Sequence, residues 1–110
     1  MYNTIGMPEF YQEAKRKKLP IIDVREEMEY QLGHVPQAIN LPLSTLTENY
    51  QQLDKNQPYY LICQMGSRSA QACAFLSQQG YQVTNVLGGT SGWLRSEEHT
   101  SELQSLLGIS

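Results

Sequence analysis

The sequence predicts an α/β fold with a mainly parallel central sheet and helices on both faces. Short apolar segments typical of strands alternate with helical segments of about ten residues, as they do when parallel strands are joined by helices. The chain has 110 residues, of which 40% are hydrophobic. This is long enough for one compact core and too short for two ordinary domains, so we expect a single domain.

Four segments have the composition or spacing of helices. The first begins near Pro8, places apolar and aromatic residues at helical spacing, and ends before Pro20. The second is short and closed by Gly33, and the fourth is ended by Gly80. The predicted helices span residues 8–18, 26–31, 43–53 and 69–79.

Four other segments are expected to form strands, namely residues 21–24, 38–40, 59–62 and 82–86. β-Branched and aromatic residues support these assignments. Asp23 and Arg25 lie at the end of one predicted strand, and Cys63 follows another. Because the carboxyl ends of parallel strands meet at one edge of a sheet, we expect these residues to meet in one crevice.

Composition argues against several classes of function. The net charge is −3, and the one basic run, residues 15–18, falls where a predicted helix ends and complements its dipole, so we expect no nucleic-acid partner. No apolar run approaches membrane-spanning length and the start of the chain lacks a signal-peptide layout, so we expect no membrane partner. The two cysteines fit a cytoplasmic protein with reduced thiols. The spacing of residues indicates neither a metal site nor a cofactor.

A reactive cysteine is predicted at Cys63. It ends a predicted strand, and the loop after it contains Gly66 ahead of a predicted helix. The helix N-terminus, the loop amides and the guanidinium of Arg68 would each stabilise a thiolate. Ser67 and Ser69 add hydroxyl donors. An anion pocket and an activated thiol therefore coincide in this loop.

The length of this loop separates two kinds of chemistry. Four residues lie between Cys63 and Arg68, one fewer than in cysteine-dependent phosphatases. The tighter loop should fit a single sulfur atom better than the tetrahedral oxygens of a phosphate. A phosphatase or arsenate reductase is therefore a weaker hypothesis, ranked third behind two hypotheses in which the loop binds sulfur.

Three motifs in this order resemble the rhodanese family of sulfurtransferases. The first motif is Asp23-Val24-Arg25-Glu26 together with Glu29 and residues 33–42. The second is the loop of residues 63–69, and the third is Gly88-Gly89 with Trp93. The resemblance runs from about Ile5 to Leu94. It implies a rhodanese-like domain over residues 1–94, with three layers around the central sheet.

The resemblance also implies a two-step transfer of sulfur. The Cys63 thiolate would take a sulfane sulfur from thiosulfate or a persulfide, become a persulfide, and pass the sulfur to a thiol or to cyanide. The implied substrate-binding residues are Gln64, Met65, Gly66, Ser67, Arg68 and Ser69. Asp23 and Arg25 would support the loop, and a structural ion pair is at least as good an interpretation of them as direct catalysis.

Two positions depart from the family's common loop. Gln64 stands where many thiosulfate-using relatives carry a basic residue, and Met65 stands where a small residue is frequent. A lost positive charge should weaken attraction for dianionic thiosulfate, and a larger apolar side chain should favour a less charged donor. Both positions favour the second hypothesis, a protein-binding sulfur-relay or non-catalytic module with little turnover of small molecules.

Other residues have structural interpretations. Cys73 lies among apolar residues of a predicted helix, which favours core packing, although a disulfide with Cys63 stays open. His34 is expected to be a hydrogen-bonding turn residue. Residues 88–92 are expected to form a backbone turn, and Trp93 to lie in the core.

Residues 95–110 differ in kind from the rest. Residues 95–105 resemble the in-frame translation of a common short-read sequencing adapter, and the last residues fit its continuation. We interpret all 16 residues as a non-native extension, disordered or loosely packed, of a domain that stops near Leu94. The alternative is an amphipathic helix built on Leu103, Leu106 and Leu107.

Overall fold

The chain forms a five-stranded sheet in the computed structural model, which describes the backbone of residues 1–106 and the side chains of residues 1–98. The strands are β1 (Asn3–Ile5), β2 (Ile21–Asp23), β3 (Ile39–Asn40), β4 (Tyr59–Ile62) and β5 (Val83–Val86). They lie in the order β1-β5-β4-β2-β3, and every neighbouring pair is parallel. The predicted α/β class with a mainly parallel sheet is confirmed.

The α-helices of residues 1–106 are α1 (Met7–Arg16), α2 (Glu27–Gln31), α3 (Leu46–Asn49), α4 (Ser67–Gln78) and α5 (Gly89–Leu106). Turns of 3-10 helix at Leu43–Thr45 and Tyr50–Gln52 flank α3, so the helix predicted over residues 43–53 is three short pieces. The breaks fall at Thr45 and Asn49, whose φ angles of −120° and −114° lie outside the helical range. None of the described helices is long and apolar enough to cross a membrane.

The sheet separates two buried clusters, one on each face. Residues of α3 and α4, such as Leu76, cover the first cluster, and residues of α1 and α5, such as Phe10, cover the second. Side chains alternate along a strand, so Leu61 joins the first cluster and Ile62 the second. Cys63 therefore emerges from β4 on the face that α4 covers.

Strand β1 was not predicted. It has three residues, and its first two side chains are exposed, so no apolar run marks it in the sequence. It forms because its backbone pairs with β5, with Asn3 opposite Thr84 and Ile5 opposite Val86. Tertiary pairing rather than local propensity therefore creates this edge strand.

Helix α5 begins inside the glycine-rich segment that was predicted to be a turn. Leu87 and Gly88 do form a turn, and φ is +86° at Gly88 and +56° at Gly89, the first residue of α5. Gly92 lies instead within the helix, where an added Cβ would be 3.3 Å from Cγ of Met7. The turn prediction is therefore right for Gly88, whereas Gly89 begins α5 and Gly92 lies inside it, where it lets α5 approach α1 closely.

The backbone of α5 continues past Leu94 to Leu106, and the loose packing expected for residues 95–110 stays a prediction. Glu97 accepts hydrogen bonds from Nζ of Lys15 at 2.9 Å and from the hydroxyl of Tyr11 at 3.0 Å. These contacts join α5 to α1. The side chains of Leu103, Leu106 and Leu107 lie outside the described residues, and the adapter origin of the tail stays a prediction.

Candidate active site

The sulfur of Cys63 lies in a tight loop between β4 and α4. Gly66 has a φ of +121°, which side chains rarely allow, and this conformation precedes the first turn of α4. The backbone N–H of Gly66 donates to Cys63 Sγ at 3.0 Å, and the Ser69 hydroxyl lies 3.3 Å from the same sulfur. Cys63 is only 1% exposed. The loop therefore encloses the sulfur with hydrogen-bond donors.

Two opposing effects act on the ionisation of this thiol. Burial raises the pKa of the Cys63 thiol, because a thiolate loses hydration. Hydrogen bonds from the Ser69 side chain and from the backbone of Ser69, Gly66 and Met65 outweigh burial and lower the pKa below its ordinary value. The net effect favours a nucleophilic thiolate.

Among the described contacts Arg68 hydrogen-bonds to Glu29 and not to the sulfur, and its stabilisation of a thiolate stays a prediction. Its Nη1 and Nη2 donate to the two carboxylate oxygens of Glu29 on α2 at 2.7 and 2.9 Å. This pairing raises the pKa of Arg68, and attraction to Cys63 also contributes. Arg68 therefore acts on the sulfur through its charge, at a distance set by Glu29.

Asp23 and Arg25 are joined to the Cys63 loop, as expected for residues at neighbouring strand ends. Asp23 is fully buried and Arg25 is 4% exposed. Arg25 donates to Asp23 Oδ2 at 2.9 Å, to the Gly33 carbonyl at 2.8 Å and to Gln64 Oε1 at 3.1 Å. Within the described structure these contacts run from Arg25 to its neighbours and not to the Cys63 sulfur, and the supporting role of the pair stays a prediction.

The start of α5 holds the loop from the other side. The N–H groups of Thr90 and Ser91 donate to the carbonyls of Cys63 and Gln64 at 2.8 and 3.1 Å. A Cβ added at Gly89 would lie 2.4 Å from the Cys63 carbonyl oxygen, so this approach requires glycine. Gln64 is fixed further by donation from Nε2 to the Ser91 hydroxyl at 2.7 Å.

The remaining predicted loop residues lie at its outer side. Met65 is 71% exposed, and Ser67 is exposed at the first position of α4. Met65 therefore presents an apolar side chain to solvent beside the enclosed sulfur. Among the described residues, no group of three or more His, Cys, Asp or Glu could hold a metal ion.

The structural interpretations of Cys73 and Trp93 are confirmed, since both are buried in the core. Cys73 is a free thiol, as is Cys63, and burial raises the pKa of Cys73 to about 12. It therefore stays protonated where Cys63 ionises. His34 is exposed and stacks on the ring of Tyr30 with centroids 3.7 Å apart, as a turn residue rather than a member of the site.

Sequence reasoning missed two asparagines that support the site. Asn85 on β5 is 3% exposed, accepts a hydrogen bond from Ser69 and donates to the Gly66 carbonyl. Nδ2 of Asn40 donates to the carbonyls of Asp23 and Arg25 at 3.0 and 2.9 Å. A polar residue at an inward position of an alternating strand was the available signal for Asn85.

A family comparison agrees with this geometry. Residues 7–96 match the model of the rhodanese-like domain. The chain belongs to the rhodanese-like domain family. The matched residues include Asp23 and Arg25 at the end of β2, the Cys63 loop at the end of β4, and the start of α5.

Known relatives support a role in sulfur transfer in general terms. The proposed sulfurtransferase YtwF of Bacillus subtilis is 39% identical over 77 residues, which cover 70% of this chain and 75% of YtwF. The proposed sulfur carrier protein YrkF of the same organism is 34% identical over 103 residues, or 87% of this chain and 56% of YrkF. A rhodanese-related protein from Thermoplasma volcanium has a solved structure with TM-score 0.79 and 36% identity, covering 86% of this chain and 93% of that one.

The burial of Asp23 predicts a large effect for replacing Arg25. In Arg25→Met the Asp23 carboxylate loses its side-chain partner in a dry environment, which should lower the free energy of unfolding by about 3–5 kcal/mol. Urea unfolding followed by circular dichroism measures this loss. Arg16→Met is the matched control, because it removes a 71% exposed partner of Glu13 and should cost much less. Equal losses in the two variants would contradict the dependence of buried Asp23 on Arg25.

The Glu29–Arg68 pair predicts a specific acid sensitivity. Hydrogen bonding to Arg68 lowers the pKa of Glu29 from 4.5 to about 2. A lowered carboxyl pKa stabilises the fold fully above pH 4.5, and this stabilisation is lost as the pH falls toward 2. In Glu29→Gln, the free energy of unfolding should therefore depend less on pH in that window, as measured by urea unfolding at several pH values. Glu48→Gln, on α3, should keep the parent's dependence, and a parent-like curve for Glu29→Gln would disprove the assignment.

Proposed function

We propose that this chain is a rhodanese-type sulfurtransferase in which Cys63 carries the transferred sulfur as a persulfide. The observation that carries the proposal is the pair of contacts on Sγ, from the Gly66 amide and the Ser69 hydroxyl. The same donors that favour a thiolate can stabilise the terminal sulfur anion of a persulfide. The names of the relatives support sulfur transfer as the reaction class.

The first step of the proposed reaction loads the cysteine. The Cys63 thiolate attacks the outer sulfur of thiosulfate, the sulfur–sulfur bond of thiosulfate breaks, sulfite leaves, and a new bond joins that sulfur to Sγ. A persulfide donor reacts in the same way and leaves as a thiolate. Charge is conserved, because one anion enters and one leaves. Arg68 attracts the anionic donor from its position beside Glu29.

The second step removes the sulfur from Cys63. A thiolate or cyanide attacks the outer sulfur of the Cys63 persulfide, and the bond to Sγ breaks to restore the thiolate. No proton is transferred in either step, so the site needs hydrogen-bond donors rather than a general base. This agrees with the contacts of His34, which stacks on Tyr30 and hydrogen-bonds to that residue's carbonyl.

A sulfur-relay role, with a protein as donor or acceptor, is the second candidate. Gln64, which replaces a basic residue of common family loops, is neutral and bound on both sides, by Arg25 and Ser91. Met65 offers an exposed apolar contact beside the sulfur. A protein partner could use that contact, whereas thiosulfate could not. Because a persistent thiolate suits a reducing compartment, a cytoplasmic location is part of this proposal.

The persulfide itself is the expected product of mixing the chain with thiosulfate or polysulfide. Intact-mass spectrometry should show a gain of one sulfur, about 32 Da. Cys73→Ser should gain the same mass, whereas Cys63→Ser should gain none. Absence of the adduct from a folded parent chain with every donor would overturn the proposal.

The two candidates differ in the donor that loads Cys63. Turnover with thiosulfate and cyanide, lost in Cys63→Ser, supports the small-molecule sulfurtransferase. Loading from a protein persulfide, with little turnover from thiosulfate, supports the relay. A Gln64→Arg variant should increase the rate with thiosulfate, because it restores a positive charge at the loop.

A further inference from the structure

The hydroxyl of Ser69 faces more hydrogen-bond acceptors than it can serve. Its Oγ lies 3.3 Å from Cys63 Sγ, 3.2 Å from the Gly66 carbonyl oxygen and 2.5 Å from Asn85 Oδ1. All of these groups are buried. A serine hydroxyl has one hydrogen, so it can donate to one of the three acceptors at a time.

One of the three acceptors already has other donors. The Gly66 carbonyl accepts from Asn85 Nδ2 at 3.2 Å and from the Ala70 N–H at 3.3 Å. This contact also fixes the orientation of the Asn85 amide, because only its nitrogen can donate to a carbonyl. Oδ1 must therefore face Ser69. The single hydrogen of Ser69 is left with a choice between Asn85 Oδ1 and Cys63 Sγ.

The choice depends on the ionisation state of the sulfur. When Cys63 is a thiol, its S–H can donate to Ser69 Oγ, while the Ser69 hydroxyl donates to Asn85. When Cys63 is a thiolate, it has no hydrogen to donate and accepts best from charge-assisted contacts, so the Ser69 hydroxyl turns to Sγ. Asn85 Oδ1 then loses its donor. The Asn85 contact therefore favours the thiol over the thiolate.

We propose that Asn85 is a positioning residue that competes with Cys63 for the Ser69 hydroxyl hydrogen and so limits how readily the thiol ionises. The inference rests on the proposed function, in which Cys63 is the nucleophile. The inference gives Asn85 an effect on the reactivity of Cys63. A hydrogen bond from Asn85 to the Gly66 carbonyl would not by itself produce that effect. Removing the oxygen acceptor should make Cys63 more acidic, because the Ser69 hydrogen is then held less strongly away from the sulfur.

Other charged and titratable groups lie near Cys63 or contact its loop. Arg68 and Cys73 come from α4, and Asp23 and Arg25 from the end of β2. Glu29 on α2 acts through Arg68. All five are retained when Asn85 or Ser69 is changed, so a neutral replacement of Asn85, compared with and without the Ser69 hydroxyl, isolates the competition for the hydroxyl hydrogen.

The test compares two replacements of Asn85, of which only one keeps an acceptor for Ser69. Asn85→Val removes the oxygen acceptor and the amide donor. Asn85→Asp removes the amide, keeps an oxygen that Ser69 can donate to, and adds a negative charge that also disfavours the thiolate. The rate constant of Cys63 alkylation by iodoacetamide is measured across pH by intact mass, in the Ser69 and Ser69→Ala backgrounds. Thr84→Val, one residue away on the same strand, is the control and should keep the parent's rate.

At neutral pH, Asn85→Val should be alkylated roughly threefold faster than the parent, and its pH profile should move to lower pH. Asn85→Asp should be no faster than the parent. In the Ser69→Ala background, Asn85→Val should make no difference, because no hydroxyl hydrogen remains to compete for.

Two results would overturn the inference. If both Asn85 variants slow alkylation, Asn85 only holds the loop; if Asn85→Val is faster without the Ser69 hydroxyl, the effect has another origin. Circular dichroism checks folding, and Asn85→Ala replaces Asn85→Val if the latter does not fold. Alkylation needs no sulfur donor, so a chain with the expected alkylation pattern but no sulfur uptake would reject the sulfurtransferase proposal alone.

Discussion

The hydrogen bond from the Gly66 amide to the Cys63 sulfur is the interaction on which the rest of the site depends. It forms because the backbone reverses at Gly66, with a φ of +121°, before α4 begins. A thiolate with 1% exposure would be costly without such donors. Burial raises the pKa of Cys63, and hydrogen bonds from Ser69 and from the loop lower it below its ordinary value. The surrounding polar contacts keep this short loop in place.

Support for the loop comes from two strands and one helix. Arg25 holds Gln64 from β2, Asn85 holds the Gly66 carbonyl from β5, and Thr90 on α5 donates to the Cys63 carbonyl. The Asp23–Arg25 pair is buried, and pairs of this kind are weak evidence for stability in themselves. Here the pair fixes the position of the Arg25 guanidinium. Because that guanidinium has several fixed acceptors, the Gln64 side chain that it binds has little freedom.

Much of the fold could be predicted from sequence, because strands such as residues 59–62 and their flanking helices have strong local patterns. Two elements could not be predicted. Strand β1 forms only through its pairing with β5, and α5 starts at Gly89, directly after a turn at Gly88. The position of Cys63 followed from its place between a strand and a helix. The Arg68–Glu29 pairing and the Asn85 contacts could not be predicted from local patterns. Arg68 and Glu29 are 39 positions apart in sequence, and Asn85 is 16 and 19 positions from Ser69 and Gly66.

The most direct test of a thiolate stabilised by the Gly66 amide is a pH titration of that amide's ¹H and ¹⁵N chemical shifts by NMR. The account predicts that the Gly66 signal titrates with a midpoint below 9.0, the ordinary value of a thiol, and that this titration disappears in Cys63→Ser. A Gly66 signal that does not move below that pH, or that moves equally in Cys63→Ser, would contradict it.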